Sequence, residues 1–269
     1  MALTHRLAII AGGLGGLGSA AGKVLRAQGA RLALLYVPFE ASRKQELLQK
    51  GYGEDATSEE LRTYECDITS PESVQSAFGS IASDLGAVSD VFPSILINAA
   101  GYVSLSNMED TPPEETMKHL NINVLGPMLV SQAFARLYFA AVEAAVPASV
   151  PPPGRIVSIS SQAAHVSLWR HGAYCASKAA LAGLTRSMAS EWGPKGITAN
   201  TVSPTVAWTE LGQKAWGEKD VAEAFLKQVP TGRFVMPDEV AEAIAFLCQD
   251  SSGMVNGGDI RIDGGFTIR

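Results

Sequence analysis

The stretch "SSQAAHVSLWRHGAYCASK" (160–178) brings a serine hydroxyl, a phenol and an ammonium into one short segment. Tyr174 and Lys178 are four residues apart in a helical pattern, so their side chains share a face. Free tyrosine, with a pKa of about 10, is a poor acid at neutral pH. A neighbouring ammonium favours the phenolate and should bring that pKa down. The phenol could then give a proton to a carbonyl oxygen or take one from an alcohol. Ser161 precedes Tyr174 by thirteen residues and ends a predicted strand. Its hydroxyl could hold the same oxygen as charge develops there. Gln162, Leu168 and His171 lie in the same segment and need a further explanation.

A second cluster is suited to a nucleotide. In "AIIAGGLGGLGSAAGKVL" a strand-like run enters a glycine turn and leaves as a helix. Gly12, Gly16 and Gly18 have the spacing G-x3-G-x-G, with Gly13, Gly15 and Leu17 between them. Such a turn lets backbone N–H groups approach a pyrophosphate at a helix N-terminus. Asp67 and Ile68 of "CDI", and Asn98, Ala99, Ala100 and Gly101 of "NAAG", end later strands on the same rim. Asp67 is placed to face an adenine, or else to cap a turn. At the end of the second strand Tyr36 and Val37 stand where a ribose-binding acid is common, and neither is charged. Arg43 and Lys44 follow, with Glu40 as near. NADP(H) is therefore favoured, with NAD(H) possible.

These groups need a scaffold with strand ends on one rim. Short unbroken apolar runs at 6–12, 30–37, 62–68, 94–101, 154–161, 197–204 and 257–265 read as strands buried on both faces. Amphipathic stretches at 18–29, 70–86, 112–145 and 172–193 read as helices, the third long enough to be kinked or divided. Alternation from end to end predicts an α/β fold, one Rossmann-type doubly wound parallel sheet of seven strands with helices on both faces. No boundary or repeat divides residues 1–269, which read as a single domain. "VPASVPPPG" (146–154) and "QKGYGEDATSEELR" (49–62) read as exposed loops.

The bulk numbers exclude several classes. The chain of 269 residues carries a net charge of -6 and shows no basic block, which argues against nucleic acid. Its apolar runs are strand-length, short of the ~20 residues of a membrane span. The N-terminus lacks the pattern of a signal peptide, so a cytoplasmic protein is expected. Cys66, Cys175 and Cys248 are widely spaced and read as free thiols. His5, His119 and His165 have no partners at metal-ligand spacing and read as structural, so no metal is expected.

Taken together, the glycine turn, "CDI", "NAAG", "NINVLG", Ser161 and "YCASK" resemble the short-chain dehydrogenase/reductase family over essentially the whole chain. The resemblance implies Tyr174 as proton donor, Lys178 lowering its pKa and binding the nicotinamide ribose, and Ser161 orienting the carbonyl. It also implies that Asn123 holds a water linking Lys178 to solvent, and that Pro204, Val206 and Thr209 lie along the nicotinamide. The family usually has Thr before the first glycine of the turn; here it is Ala11. "SSQ", "YCASK" and "VSPTVAWTELGQKAW" are most similar to the dicarbonyl/L-xylulose reductase branch. That likeness implies a polyol pocket made by Gln162, Leu168, His171 and Trp216, under a helical lid around 205–230. It further implies a homotetramer and a reversible NAD(P)H-dependent reductase of a ketose or dicarbonyl. A 3-oxoacyl thioester or secondary-metabolite ketone is the alternative substrate, and a non-catalytic nucleotide sensor the minor one.

Overall fold

Every residue of the first strand, β1 (Arg6–Ala11), is buried. It lies inside a sheet, paired on both sides, in a computed structural model that describes residues 2–86, 90–145 and 150–268. Around it lie β2 (Arg31–Tyr36), β3 (Leu61–Glu65), β4 (Phe92–Asn98), β5 (Gly154–Ile159), β6 (Ile197–Pro204) and β7 (Asp259–Ile262). All pairings are parallel, in the order β3-β2-β1-β4-β5-β6-β7. Consecutive strands step outward from β1 on one side and from β4 on the other. The order reverses between β1 and β4, where such sheets open a crevice at the strand carboxyl ends.

Alternate strand positions feed two cores. Ile10, Leu34, Ile97 and Val157 pack on one face with α1 (Gly16–Ala27) and α9 (Pro237–Cys248). Ile9, Leu35, Leu96 and Ile156 pack on the other with α3 (Pro71–Gly86) and α5 (Gly126–Ala144). Such two-sided burial is why the strands read as unbroken apolar runs.

Several strands stop earlier than their apolar runs suggest. β3 ends at Glu65, β4 at Asn98 and β5 at Ile159, and the residues that follow turn out of the sheet. This puts Asp67, Ala99, Ala100, Gly101 and Ser161 on loops above the strand ends. The expected loop at 49–62 is corrected too. Its start belongs to α2 (Lys44–Tyr52), and Tyr52 is buried with its hydroxyl donating to the carbonyl of Gly13 at 2.8 Å. The proline-rich loop at 146–154 lies partly outside the described residues.

The long helical stretch is α4 (Pro113–Leu120), a π-helical turn (Asn121–Leu125) and α5 without a break. Among the described residues Pro113–Ala144 is the helix long and apolar enough to cross a membrane. Its length escapes a search for apolar runs because Lys118, His119, Asn121 and Asn123 interrupt it. It packs as a core helix instead, with Val130, Phe134, Ala135 and Tyr138 buried against the sheet.

At the opposite rim the first strand is tied to the end of the chain. Arg6 is 3% exposed. Its guanidinium donates to Ser94 Oγ (2.7 Å), the Pro153 carbonyl (2.7 Å), the Cys248 carbonyl (3.2 Å) and Asp250 Oδ1 (3.0 Å). Burial lowers the pKa of this guanidinium.

Candidate active site

The glycine turn connects β1 to α1 at the crevice. Gly12 has φ +76°, and a Cβ there would stand 2.7 Å from the Ala100 nitrogen. A Cβ on Gly18 would stand 2.2 Å from the Gly12 carbonyl oxygen. The turn therefore lies against the 99–101 loop and against itself, at distances only glycine permits. The first turn of α1 has no side-chain cap and no acidic residue. Its N–H groups and positive dipole are left for an anion. Asn98 donates to Ser131 and Ser158 at 3.1 Å each, while its buried Oδ1 has no partner. An open helix N-terminus, a glycine cradle and an unused buried acceptor fit a dinucleotide.

The remaining nucleotide residues divide. Asp67 Oδ1 accepts from Thr69 N (2.9 Å) and Thr69 Oγ1 (2.7 Å), so this oxygen stabilises the turn into α3. Ile68 is buried and packs where a Cβ on Gly126 would collide with it. Beyond Tyr36, the Val37 N–H donates to Glu40 at 3.2 Å, Arg43 is paired with Glu46, and Lys44 Nζ lies 5.4 Å from the Tyr36 ring centre. Pro204 ends β6, and the Val206 carbonyl accepts from Val235 N. Thr209 caps α7 (Glu210–Trp216) by accepting from Gly212 N at 3.2 Å. Its methyl sits against Gly16, where a Cβ would come within 2.7 Å.

The reacting groups converge where β4 and β5 end. α6 (Gly172–Trp192) carries Tyr174 and Lys178 on one face, with Lys178 Nζ 5.7 Å from the Tyr174 ring centre. Ser161 stands beside the phenol at the end of β5, and its Oγ accepts from Ala163 N at 3.1 Å. Lys178 is 4% exposed and donates to the Ile159 carbonyl at 2.9 Å. Gly101 crosses beside it, where a Cβ would be 3.6 Å from Nζ.

The titration of this group differs from the sequence expectation. Burial raises the Tyr174 pKa, and the hydrogen bond with Ser161 works against that rise. Burial also lowers Lys178 to about 8. The ammonium is itself destabilised, so it does not dominate the phenol. Desolvation outweighs charge proximity in this state.

Asn123 is held by a dense set of hydrogen bonds. It sits in the π-helical turn, fully buried. Its Oδ1 accepts from Tyr102 N (2.8 Å), and its Nδ2 donates to the Tyr102 carbonyl (2.8 Å) and to Ser177 Oγ (3.0 Å). Its side chain clamps the loop after "NAAG" to α6. π turns recur at functional sites, and this one places an amide inside a helix where it bridges two other segments.

Around the triad, Gln162 is 2% exposed and its Oε1 has no partner. His171 is half-buried at the start of α6, its ring centre 6.1 Å from that of Tyr174. Nδ1 lies 2.6 Å from the Trp169 carbonyl, so Nδ1 carries the proton and Nε2 is left as an acceptor. Between Trp169 and His171, Arg170 is held at φ +63°, a strained conformation for a residue with a side chain. The Leu168 carbonyl closes this turn by accepting from His171 N at 3.1 Å. Trp216 packs against Phe225 of α8 (Lys219–Leu226), ring centres 4.6 Å apart and tilted at 50°. Phe225 itself stacks on Phe234 and Phe266. Trp216 thus belongs to an aromatic cluster with Phe225, Phe234 and Phe266.

Some participants were not singled out from sequence. Thr205 follows Pro204, is 6% exposed, and has an unpartnered hydroxyl on the rim that also holds Gln162. Glu115, His119, Tyr102 and Ser104 form a network against Tyr174 that no local spacing announces.

Comparisons with known proteins agree with this geometry. The profile of a family described as Enoyl-(Acyl carrier protein) reductase matches residues 12–267. D-threitol dehydrogenase of Mycolicibacterium smegmatis is 37% identical over 99% of this chain and 95% of its own. NAD-dependent glycerol dehydrogenase of Listeria innocua is 34% identical over 99% of this chain and 96% of its own. L-xylulose reductase of Bos taurus is 34% identical over 98% and 97%. A short-chain dehydrogenase/reductase structure from Serratia marcescens superposes with TM-score 0.84 at 28% identity, covering 99% of this chain and 100% of that one.

Proposed function

Because the chain is a member of the short-chain dehydrogenase/reductase family, we propose that it reduces a ketose or small dicarbonyl and, in reverse, oxidises a sugar alcohol. The observation that carries this reading is Gln162, buried beside Ser161 with an unpartnered carbonyl oxygen. An unsatisfied buried acceptor is expensive unless a ligand supplies the donor. A polyol has hydroxyls to supply, whereas an acyl chain has none. His171, with its ring centre 6.1 Å from that of Tyr174, offers Nε2 as a second acceptor. Relatives named for threitol, glycerol and L-xylulose support the same substrate class.

When bound, NAD(P)H supplies the hydride. Asn98, the 99–101 loop and the glycine turn would hold it, with Lys178 on its ribose. Ser161 donates to the substrate oxygen and keeps the carbonyl in reach of the phenol. Tyr174 delivers its proton to that oxygen in reduction and takes one from the alcohol in oxidation. Lys178 retains donors beyond the one given to Ile159, since an ammonium has three. A cation held there stabilises the phenolate as the proton leaves.

The test is loss of NAD(P)H absorbance with L-xylulose, D-erythrulose, diacetyl and an acetoacetyl thioester. Turnover of ketoses or diacetyl, abolished by Tyr174→Phe with cofactor affinity intact, is the expected result. Turnover confined to the thioester overturns the polyol pocket, and an active Tyr174→Phe enzyme overturns the mechanism. Selective loss of ketose turnover in Gln162→Leu ties the preference to that oxygen.

NADP(H) is the preferred form in this reading. Tyr36 and Val37 bear no charge, and the Lys44 ammonium beside Tyr36 suits a 2′-phosphate. Glu40, bonded to Val37, opposes it. A higher kcat/KM with NADH than with NADPH refutes that preference. A homotetramer is part of the same proposal, supported by exposed Ala176, Ala179 and Ala180 along α6. Light scattering of the purified protein decides it.

A further inference from the structure

We propose that His119 is a positioning residue whose fixed neutral tautomer seats the ring of Tyr174 and the 102–104 loop at the reaction centre. The proposal rests on the reading of Tyr174 as proton donor.

His119 is 1% exposed near the end of α4. Its Nε2 faces the Ser104 backbone N–H at 3.2 Å. That group can only donate, so Nε2 carries no proton. Its Nδ1 lies 2.8 Å from the Glu115 carbonyl, which can only accept, so Nδ1 carries the proton. An imidazolium would set one N–H against another at Ser104. The ring is neutral even with the Glu115 carboxylate 3.9 Å from Nδ1.

The ring fills the space between two phenols. Its centre is 4.9 Å from that of Tyr102 and 6.3 Å from that of Tyr174, edge-on at 66°. The other groups of the loop are bound to the same helix. Tyr102 Oη (2.7 Å) and Ser104 Oγ (2.5 Å) both donate to Glu115 Oε1, and these bonds hold its carboxyl below the usual range. Lys118 Nζ covers the Tyr102 ring at 4.1 Å. Asn123 binds both backbone groups of Tyr102. Glu115, His119 and Asn123, four residues apart in turn, thus fix a loop that begins at Gly101 beside Lys178. His119 is the one of the three whose side chain also packs on the reacting phenol. A misplacement of about 1 Å in a reacting group can cost on the order of 10²-fold in rate.

The test compares His119→Leu with His119→Gln in the full-length enzyme. Leucine fills the space but leaves the Ser104 N–H unpaired, whereas a glutamine oxygen can accept it. His119→Leu is expected to lower kcat by about ten- to a hundredfold with cofactor Kd near wild type, alongside a drop of a few degrees in melting temperature from the unpaired N–H. His119→Gln should recover kcat to within about threefold, on the hydrogen-bond argument. A role in stability alone would move the melting temperature and leave kcat of the folded protein unchanged. A folded His119→Leu enzyme with wild-type kcat overturns the proposal, as does equal kcat loss in both variants. Should the leucine variant not fold, glutamine decides: a folded, cofactor-binding His119→Gln enzyme with tenfold lower kcat overturns it. Tyr174→Phe runs alongside. If that variant is active, the proton-donor reading has failed, whatever His119 does.

Discussion

Replacing Lys178 with methionine should make the cofactor-free protein more stable while destroying its activity. Burial shifts this ammonium from 10.5 to about 8, and no carboxylate compensates. The folded-state pKa lies below the unfolded one, so charging the lysine opposes folding. The penalty is full below pH 8, shrinks as pH rises, and vanishes above about 10.5, where both states are neutral. At pH 7 the shift corresponds to roughly 3 kcal/mol at 1.36 kcal/mol per pKa unit. Methionine has a similar reach but leaves the Ile159 carbonyl without the donor now 2.9 Å away, a loss of about 1 kcal/mol or more. The net gain is about 1–2 kcal/mol, or some 2–8 °C in Tm for a chain of this size. The assay is thermal unfolding of wild type and Lys178→Met without cofactor, at pH 7 and at pH 10. The variant should melt higher at pH 7, by a margin that narrows at pH 10. Its turnover should fall by more than about 10²-fold, as expected when acid–base catalysis is lost. A variant that melts lower at pH 7, or a margin independent of pH, refutes the argument that the protein holds a destabilised charge for function.

Gly18→Ala should weaken cofactor binding by at least about tenfold and destabilise the fold by roughly 1–3 kcal/mol, because its Cβ meets the Gly12 carbonyl at 2.2 Å and backbone must move. Cofactor titration by fluorescence and a denaturant melt measure the two effects. Trp216→Ala removes the ring tilted against Phe225. Substrate KM should rise several-fold while cofactor Kd stays within about twofold, since aromatic pairs of this kind contribute about 1 kcal/mol. Steady-state kinetics at saturating cofactor checks it, and an unchanged KM shows that the cluster serves only packing.

What could be read from sequence was what is local. The Tyr174–Lys178 spacing, the glycine turn and the strand-length apolar runs each state a geometry within a few residues, and each is found in place. Strand ends were overextended because β-branched and small residues continue past the last paired position, as after Asn98. α2 was hidden because Tyr52 and its neighbours look polar and glycine-rich, although that phenol is buried on Gly13. The site's balance of charge was misjudged for a different reason. Spacing shows that Lys178 is near Tyr174 but not that both are desolvated. The protein partners of Asp67, Asn123 and Trp216, namely Thr69, Tyr102 and Phe225, could not be read from spacing. Burial and long-range partners are properties of the assembled chain, and the His119 network joins two segments that no periodicity connects.

The guanidinium of Arg6 has a consequence for how the chain is made. Its charge is buried in the first strand, and its carboxylate partner is Asp250, 244 positions later. A growing chain that has not yet supplied residues 248–250 contains a central strand with an uncompensated cation, which cannot be buried stably. Completion of the sheet therefore waits for the last helix, and contacts of such long sequence separation form slowly. Until then apolar strand edges stay exposed to other chains. Loss of the final helix should thus show itself as aggregation during synthesis, before any effect on catalysis could be measured.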